Sequence, residues 1–143
     1  MERDVAPALN LICDGCRKPI TDDDGYLWVN TTEVRRTEES VRAWEAERTD
    51  ADGSLSFSGG DIFDYPEKVR WQAHHARCDP APGARAYDIP AAKIRSWEQL
   101  LDWTAHLMEK SWLPHTDWDD CLRGVHQGGG RLVLAVEAGA PIS

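Results

Sequence analysis

Two periodicities divide the chain. A period of two marks short strands in the N-terminal half, and a period near 3.6 marks helices in the C-terminal half. Tyr26-Leu27-Trp28-Val29-Asn30 is dense in β-formers and predicts a strand, entered through the turn signal Asp22-Asp23-Asp24-Gly25. Thr37, followed by Glu38 and Glu39, predicts a helix start, because a hydroxyl caps free amides and acids favour the positive end of the dipole. Val41 and Trp44 share one face and Glu38 with Arg42 makes an i,i+4 pair, so the predicted helix covers 38–48. Residues 49–66, with Gly53, Gly59, Gly60 and Pro66 among Ser and Asp, predict a long loop with a small hairpin through Leu55 and Phe57. A functional loop and a variable surface insertion are both open for it.

Val69, Trp71, Ala73 and His75 alternate with Arg70, Gln72 and His74, the pattern of a strand over 69–75. Pro80, Pro82 and Gly83 then break the chain, which places an internal boundary at 79–85, with a short extended piece at 86–89 before Pro90. Ser96 with Gln99 forms a capping box for a helix over 97–111, ended by Pro114. Its expected buried stripe is Leu100, Leu101, Thr104, Leu107 and Met108. Thr116 with Asp119 signals a second helix, with Trp118, Cys121, Leu122 and Val125 on one face. Gly128-Gly129-Gly130 closes it, and 131–136 reads as a last strand. The expected architecture is one α+β domain over 1–143. A small antiparallel sheet carries the knuckle part (13–80) and packs against two C-terminal helices in a helical part with a last strand (86–137).

Composition narrows the classes of function. The 143 residues are 41% hydrophobic, too apolar for a disordered chain. With 16 Lys and Arg against 25 Asp and Glu, the net charge of −9 repels phosphate backbones and argues against a duplex-DNA binder. No apolar run approaches the ~20 residues that span a bilayer. Residues 1–12 carry acids early and lack a signal-peptide core, so the expected location is the cytoplasm. Seven Trp against three Tyr and two Phe make Trp the main aromatic, expected as core or interface anchors. Twelve Arg against four Lys, with two Asn, suggests a GC-rich genome.

The cysteines carry the strongest chemical signal. Cys13-x2-Cys16 and His75-x2-Cys78 each have the two-residue gap that turns both ligands of a knuckle onto one tetrahedral ion. Together they make a Cys3His set for structural zinc. His75 is preferred to His74, because it has the right gap to Cys78 and shares a strand face with Val69, Trp71 and Ala73. Three thiolates and a dication leave one net negative charge, which Arg17, Lys18 and Arg77 are placed to offset. Two disulfides are the secreted alternative, and a redox CxxC is a poor one because a turn and strand follow it rather than a helix. Four protein ligands leave no open position for catalysis. Cys121, on an apolar helix face, reads as a core cysteine, with an alternative role as fourth ligand in place of His75.

Other patterns say less. Asp22-Asp23-Asp24-Gly25 and Asp50-Ala51-Asp52-Gly53 lack calcium-loop spacing. The triple glycine follows a helix, the reverse of a phosphate cradle. Asp102 and His106, one turn apart, read as a solvated helix pair; as an orienter and base they lack an evident nucleophile. An HNH-type nuclease reading of His74-His75 lacks the metal-binding pattern that should follow.

The segments C-D-G-C-R-K-P-I, G-Y-L-W-V, W-Q-A-H-H-A-R-C-D-P and W-T-A-H-L-M-E-K-S-W-L resemble small uncharacterised CxxC…HxxC zinc-ribbon-like proteins of actinobacteria and their phages or mobile elements. The resemblance covers about residues 11–126 and implies a pair of zinc knuckles without an assigned activity. The interval between the knuckles is longer than in compact zinc ribbons. The leading expectation is a zinc-stabilised protein-interaction or regulatory module with a protein partner, leaning away from an enzyme. The alternatives are an acidic inhibitor of a nucleic-acid-binding protein, of anti-restriction or anti-CRISPR type, and a small hydrolase.

Overall fold

The computed structural model describes residues 9–21, 23–56, 63–127 and 130–134. These residues form a mixed α and β fold, with two three-stranded antiparallel sheets and three α-helices among them. In the first sheet β1 (Leu9–Ile12) lies between β2 (Pro19–Ile20) and the last strand, β6 (Leu132–Leu134). In the second, β3 (Gly25–Asn30) lies between β4 (Gln72–His75) and β5 (Ala86–Pro90). The first and last strands of the described chain therefore pair directly, Leu9 opposite Leu134.

Helix α1 (Thr31–Glu47) begins well before the expected Thr37. Asn30, the last residue of β3, is its cap and accepts from the Glu33 amide at 3.0 Å. Asn with Glu three positions on is a start signal as good as the one at Thr37, and it comes first. The buried stripe is accordingly longer: Val34, Val41 and Trp44. Of the hairpin expected in the following loop, the described part is a bridge between Thr49 and Leu55, and Phe57 lies outside the described residues.

The strand expected over 69–75 is shorter as a ladder. Val69 instead bridges Thr116 in parallel, and regular pairing starts at Gln72. Trp71, between the two, is fully buried. Its indole N–H donates to Thr116 Oγ1 at 3.0 Å and its backbone N–H to Asp117 Oδ1 at 2.8 Å. Around it stand Trp118 (ring centroids 5.1 Å), Tyr87 (6.2 Å) and Trp112 (6.4 Å). The Trp118 indole in turn donates to Thr104 Oγ1 at 3.2 Å. One aromatic cluster thus joins β5 and the helices α2 (Trp97–Leu107) and α3 (Trp118–Gln127) to the chain entering β4.

Both C-terminal helices form, with one correction. In α2 the Ser96 hydroxyl accepts from the Gln99 amide at 3.1 Å, while Gln99 Oε1 reaches past Ser96 to the Arg95 amide at 2.7 Å. The helix stops at Leu107 and not at 111, because Met108–Trp112 tightens into turns before the short 3-10 segment Leu113–His115. Of the expected stripe only Leu100 and Leu107 are buried; Leu101 is 66% and Met108 71% exposed. A 100° step sets these two residues on the shoulder of the helix, beyond the reach of the core. On α3, Trp118, Cys121 and Val125 are buried as their spacing requires. Residues 135 and 136 of the expected last strand lie outside the described residues. No described helix is long and apolar enough to cross a membrane.

Candidate metal centre

Cys13 and Cys16 lie in the turn between β1 and β2. His75 ends β4, and Cys78 closes the 3-10 turn Ala76–Cys78 that follows. One donor atom from each of the four lies within 4.8 Å of all the others, close enough to hold a metal ion. Bonds of about 2.3 Å to sulfur and 2.0–2.1 Å to nitrogen, meeting at a tetrahedral ion, put S and N about 3.5 Å apart. Cys16 Sγ and His75 Nδ1 are 3.4 Å apart.

The first knuckle is built by backbone. Arg17 N–H donates to Cys13 O and Cys13 N–H to Lys18 O, each at 2.9 Å. Closing so tight a turn takes Arg17 to φ 66°, the only non-glycine in the left-handed region among the described residues. The amides of Gly15 and Cys16 then point at Cys13 Sγ, at 3.3 and 3.4 Å. Burial raises the Cys13 pKa, but hydrogen bonds from the Cys16 and His75 backbones, the His75 ring and the Gly15 amide outweigh it and hold the thiol at about 6. Cys78 is pushed up to about 11 by desolvation and then by the neighbouring Cys13 and Cys16 sulfurs. Thiols crowded in this way lose protons reluctantly one after another unless a cation joins them.

Asp14 couples the two knuckles. Its N–H donates to Ala73 O at 2.7 Å, and its Oδ2 accepts from the Ala73 N–H at 2.8 Å. Arg70 holds the same carboxylate in a fork, at 2.9 and 3.2 Å. Close approach needs glycine twice. A Cβ on Gly15 would sit 3.2 Å from Cys78 Cβ, and one on Gly25, opposite His75 in the ladder, 2.5 Å from Ile20 Cγ2. Asp14 carried no role in the sequence reading, although its place inside C-D-G-C was the available signal: an acid between two ligand positions is well placed to bind the backbone or a base beside the knuckle. The far end of the second knuckle is tied down by Tyr26, whose hydroxyl donates to Asp79 Oδ2 at 2.5 Å.

His74 faces away from the cluster and is nonetheless buried. Its Nδ1 accepts from the Trp28 indole at 3.0 Å, so it serves the core and not the centre. Cys121 is likewise outside the cluster. Its sulfur accepts from Arg131 at 3.2 Å, and burial pushes its thiol up to about 11. Arg17 and Arg77 lie beside the knuckles but pair with Asp14 (3.7 Å) and Asp24 (3.1 Å), so part of their charge is already matched. Asp102 and His106 line an open cleft of about 510 Å³ with Lys93, Gln99 and Trp103. The Trp103 indole is spent on Lys93 O, and these lining residues include no Ser, Thr or Cys nucleophile. In comparisons with protein families, curated proteins and solved structures, this chain finds no match.

Proposed function

We propose that this protein is a zinc-stabilised protein-interaction or regulatory module of the cytoplasm, with Cys13, Cys16, His75 and Cys78 as ligands of one structural Zn²⁺. The observation that carries the reading is the closed donor set. Three sulfurs and one imidazole nitrogen lie within 4.8 Å of one another, a soft tetrahedral group that suits zinc. All four positions are taken by protein, so the ion holds two loops together and activates no water. Surface and charge complete the reading: net charge −9 disfavours duplex nucleic acid, and a protein partner is left as the natural target.

The test has two parts. Metal analysis of protein purified without added metal gives one zinc per chain, and the Cys16→Ser variant gives none. Four freely titrating thiols and no zinc in the purified protein overturn the metal assignment. The full chain, immobilised with nuclease present, is then exposed to a lysate of a GC-rich actinobacterium. A partner retained by the metal-loaded chain and lost after chelation supports the module. Gel-shift binding of duplex DNA at about 1 μM and physiological salt overturns it.

A further inference from the structure

Helix α2 carries an apolar row with acids beside it on its open side. Trp97, Leu101 and Met108 are 47%, 66% and 71% exposed, and steps of four and seven residues stack them within about 40° around the axis. Met108, the cap, keeps helical backbone, so the row is continuous over roughly 16 Å. Glu98 and Asp102 repeat the first of these steps one residue on, Glu109 follows Met108 in the turn that closes the helix, and all three are exposed, which sets acids beside the apolar row. Leu100 and Leu107 turn to the core, so neither set is the helix's packing face.

Some carboxylates of the described chain are paired, and others, these three among them, are not. Asp14, Asp24 and Asp119 are each held by an arginine, at 2.9, 3.1 and 2.9 Å. Glu98, Asp102 and Glu109 have no ion-pair partner among the described residues, and Lys93, across the cleft that Asp102 lines, forms no ion pair with it. What sets this face apart is that its unpaired acids run alongside exposed apolar side chains, a pattern that a partner of opposite charge and matching apolar spacing completes.

Resting on the interaction-module reading, we infer that this face of α2 docks a basic amphipathic helix of a protein partner. Apolar residues of the partner cover Trp97, Leu101 and Met108, and Lys or Arg one position along meet Glu98, Asp102 and Glu109. A second copy of this chain meets like charge, at −9 per copy, and an anionic lipid surface does the same.

The probe is a labelled synthetic helix of about 20 residues with Leu repeating the four- and seven-residue steps and Lys beside each Leu. Fluorescence anisotropy with the full, metal-loaded chain should show binding at physiological salt. A control peptide with Glu in place of Lys should bind at least about tenfold more weakly. Leu101→Asp should weaken binding of the basic peptide at least about tenfold. The triple variant Glu98→Gln, Asp102→Asn, Glu109→Gln should weaken it and flatten its salt dependence. Metal content and helicity, measured on each variant, should be unchanged. Equal affinity for basic and acidic peptides overturns the inference, as does an unaltered affinity for Leu101→Asp. Sedimentation showing a dimer that Leu101→Asp dissolves also overturns it, in favour of a second copy. The lysate experiment repeated with Leu101→Asp separates the two readings. A partner kept by this variant as well as by the wild type overturns the α2 surface and leaves the module standing. A wild-type chain that keeps no partner removes the module reading and the surface with it.

Discussion

The knuckle region and the two C-terminal helices are held by opposite means. Around Cys13–Cys16 and His75–Cys78 the contacts are short and directional: amides on sulfur, Asp14 on both polar atoms of Ala73, and two glycines at close approach. Around Trp71 they are broad and apolar, four aromatic rings of which Trp71 and Trp118 donate their indole N–H groups to Thr116 and Thr104. Directional contacts define geometry to a few tenths of an ångström but contribute little net stability, since each replaces a bond to water. Buried area contributes stability with less regard for geometry. The contrast teaches why the proposed ion matters at the knuckles, where directional contacts hold four crowded donors, and not at the helices.

The largest effect should come from the ion. Zinc binding to such a set is worth ~10 kcal/mol or more in apparent terms. Cys16→Ser should therefore lower the melting temperature sharply in calorimetry, and chelation should do the same. Cys121→Ser, outside the cluster, should do much less; equal falls would break the contrast between the two regions.

Next comes the aromatic cluster. Trp71→Ala should cost about 3–5 kcal/mol in urea unfolding of the metal-loaded protein, because it removes a fully buried ring. Zinc stoichiometry of the folded fraction should remain one, since the hydrogen bonds of Trp71 go to Thr116 and Asp117 and not to a ligand. Loss of the metal in this variant would mean that the two regions share their geometry as well as their stability.

Asp14 probes the directional side. Burial raises its pKa, but the hydrogen bond from Arg70 and that from the Ala73 amide outweigh this and hold the carboxyl below the usual range. A folded-state pKa below the unfolded one contributes stability that is full above about pH 4 and is lost as pH falls through the lowered value. Asp14→Asn keeps an acceptor for Ala73 and removes the charge. It should cost about 1–3 kcal/mol at neutral pH, towards the lower end because Arg70 is half exposed, and the gap to wild type should close in acid. A gap independent of pH would assign Asp14 a purely neutral hydrogen-bonding role.

The smallest effect belongs to the open row. Leu101→Ala should change stability by no more than about 0.5 kcal/mol, against about 2–5 kcal/mol for Leu107→Ala six residues on. Denaturant curves of the two variants compare them directly. A cost at Leu101 near that at Leu107 would mean the row is covered in solution.

Much of this was legible from local pattern. The two knuckles follow from spacing alone, because a two-residue gap has few ways to turn two donors inward. His75 over His74 followed from strand alternation, which the structure repeats by giving His74 to Trp28 and His75 to the cluster. The order of elements from β3 onward and the mixed architecture with antiparallel sheets also followed, whereas β1 and β2, too short for a periodicity of their own, were not read as strands. The start of α1 was misread because Asn30 serves the strand and the helix at once, and a pattern search assigned it only to the first.

By itself the sequence determined the two-residue spacing of the four candidate metal ligands and the type of the longer elements, since these depend on neighbours within a turn or a pleat. Only the tertiary structure decided which apolar face has something to pack on. Leu101 and Leu107 are equally hydrophobic and sit on one helix, yet one faces the core and the other does not. The same holds for Asp14, a polar residue whose partner Ala73 lies 59 positions away. Burial and pairing across such distances depend on how the two sheets and three helices meet, and no local periodicity encodes that meeting.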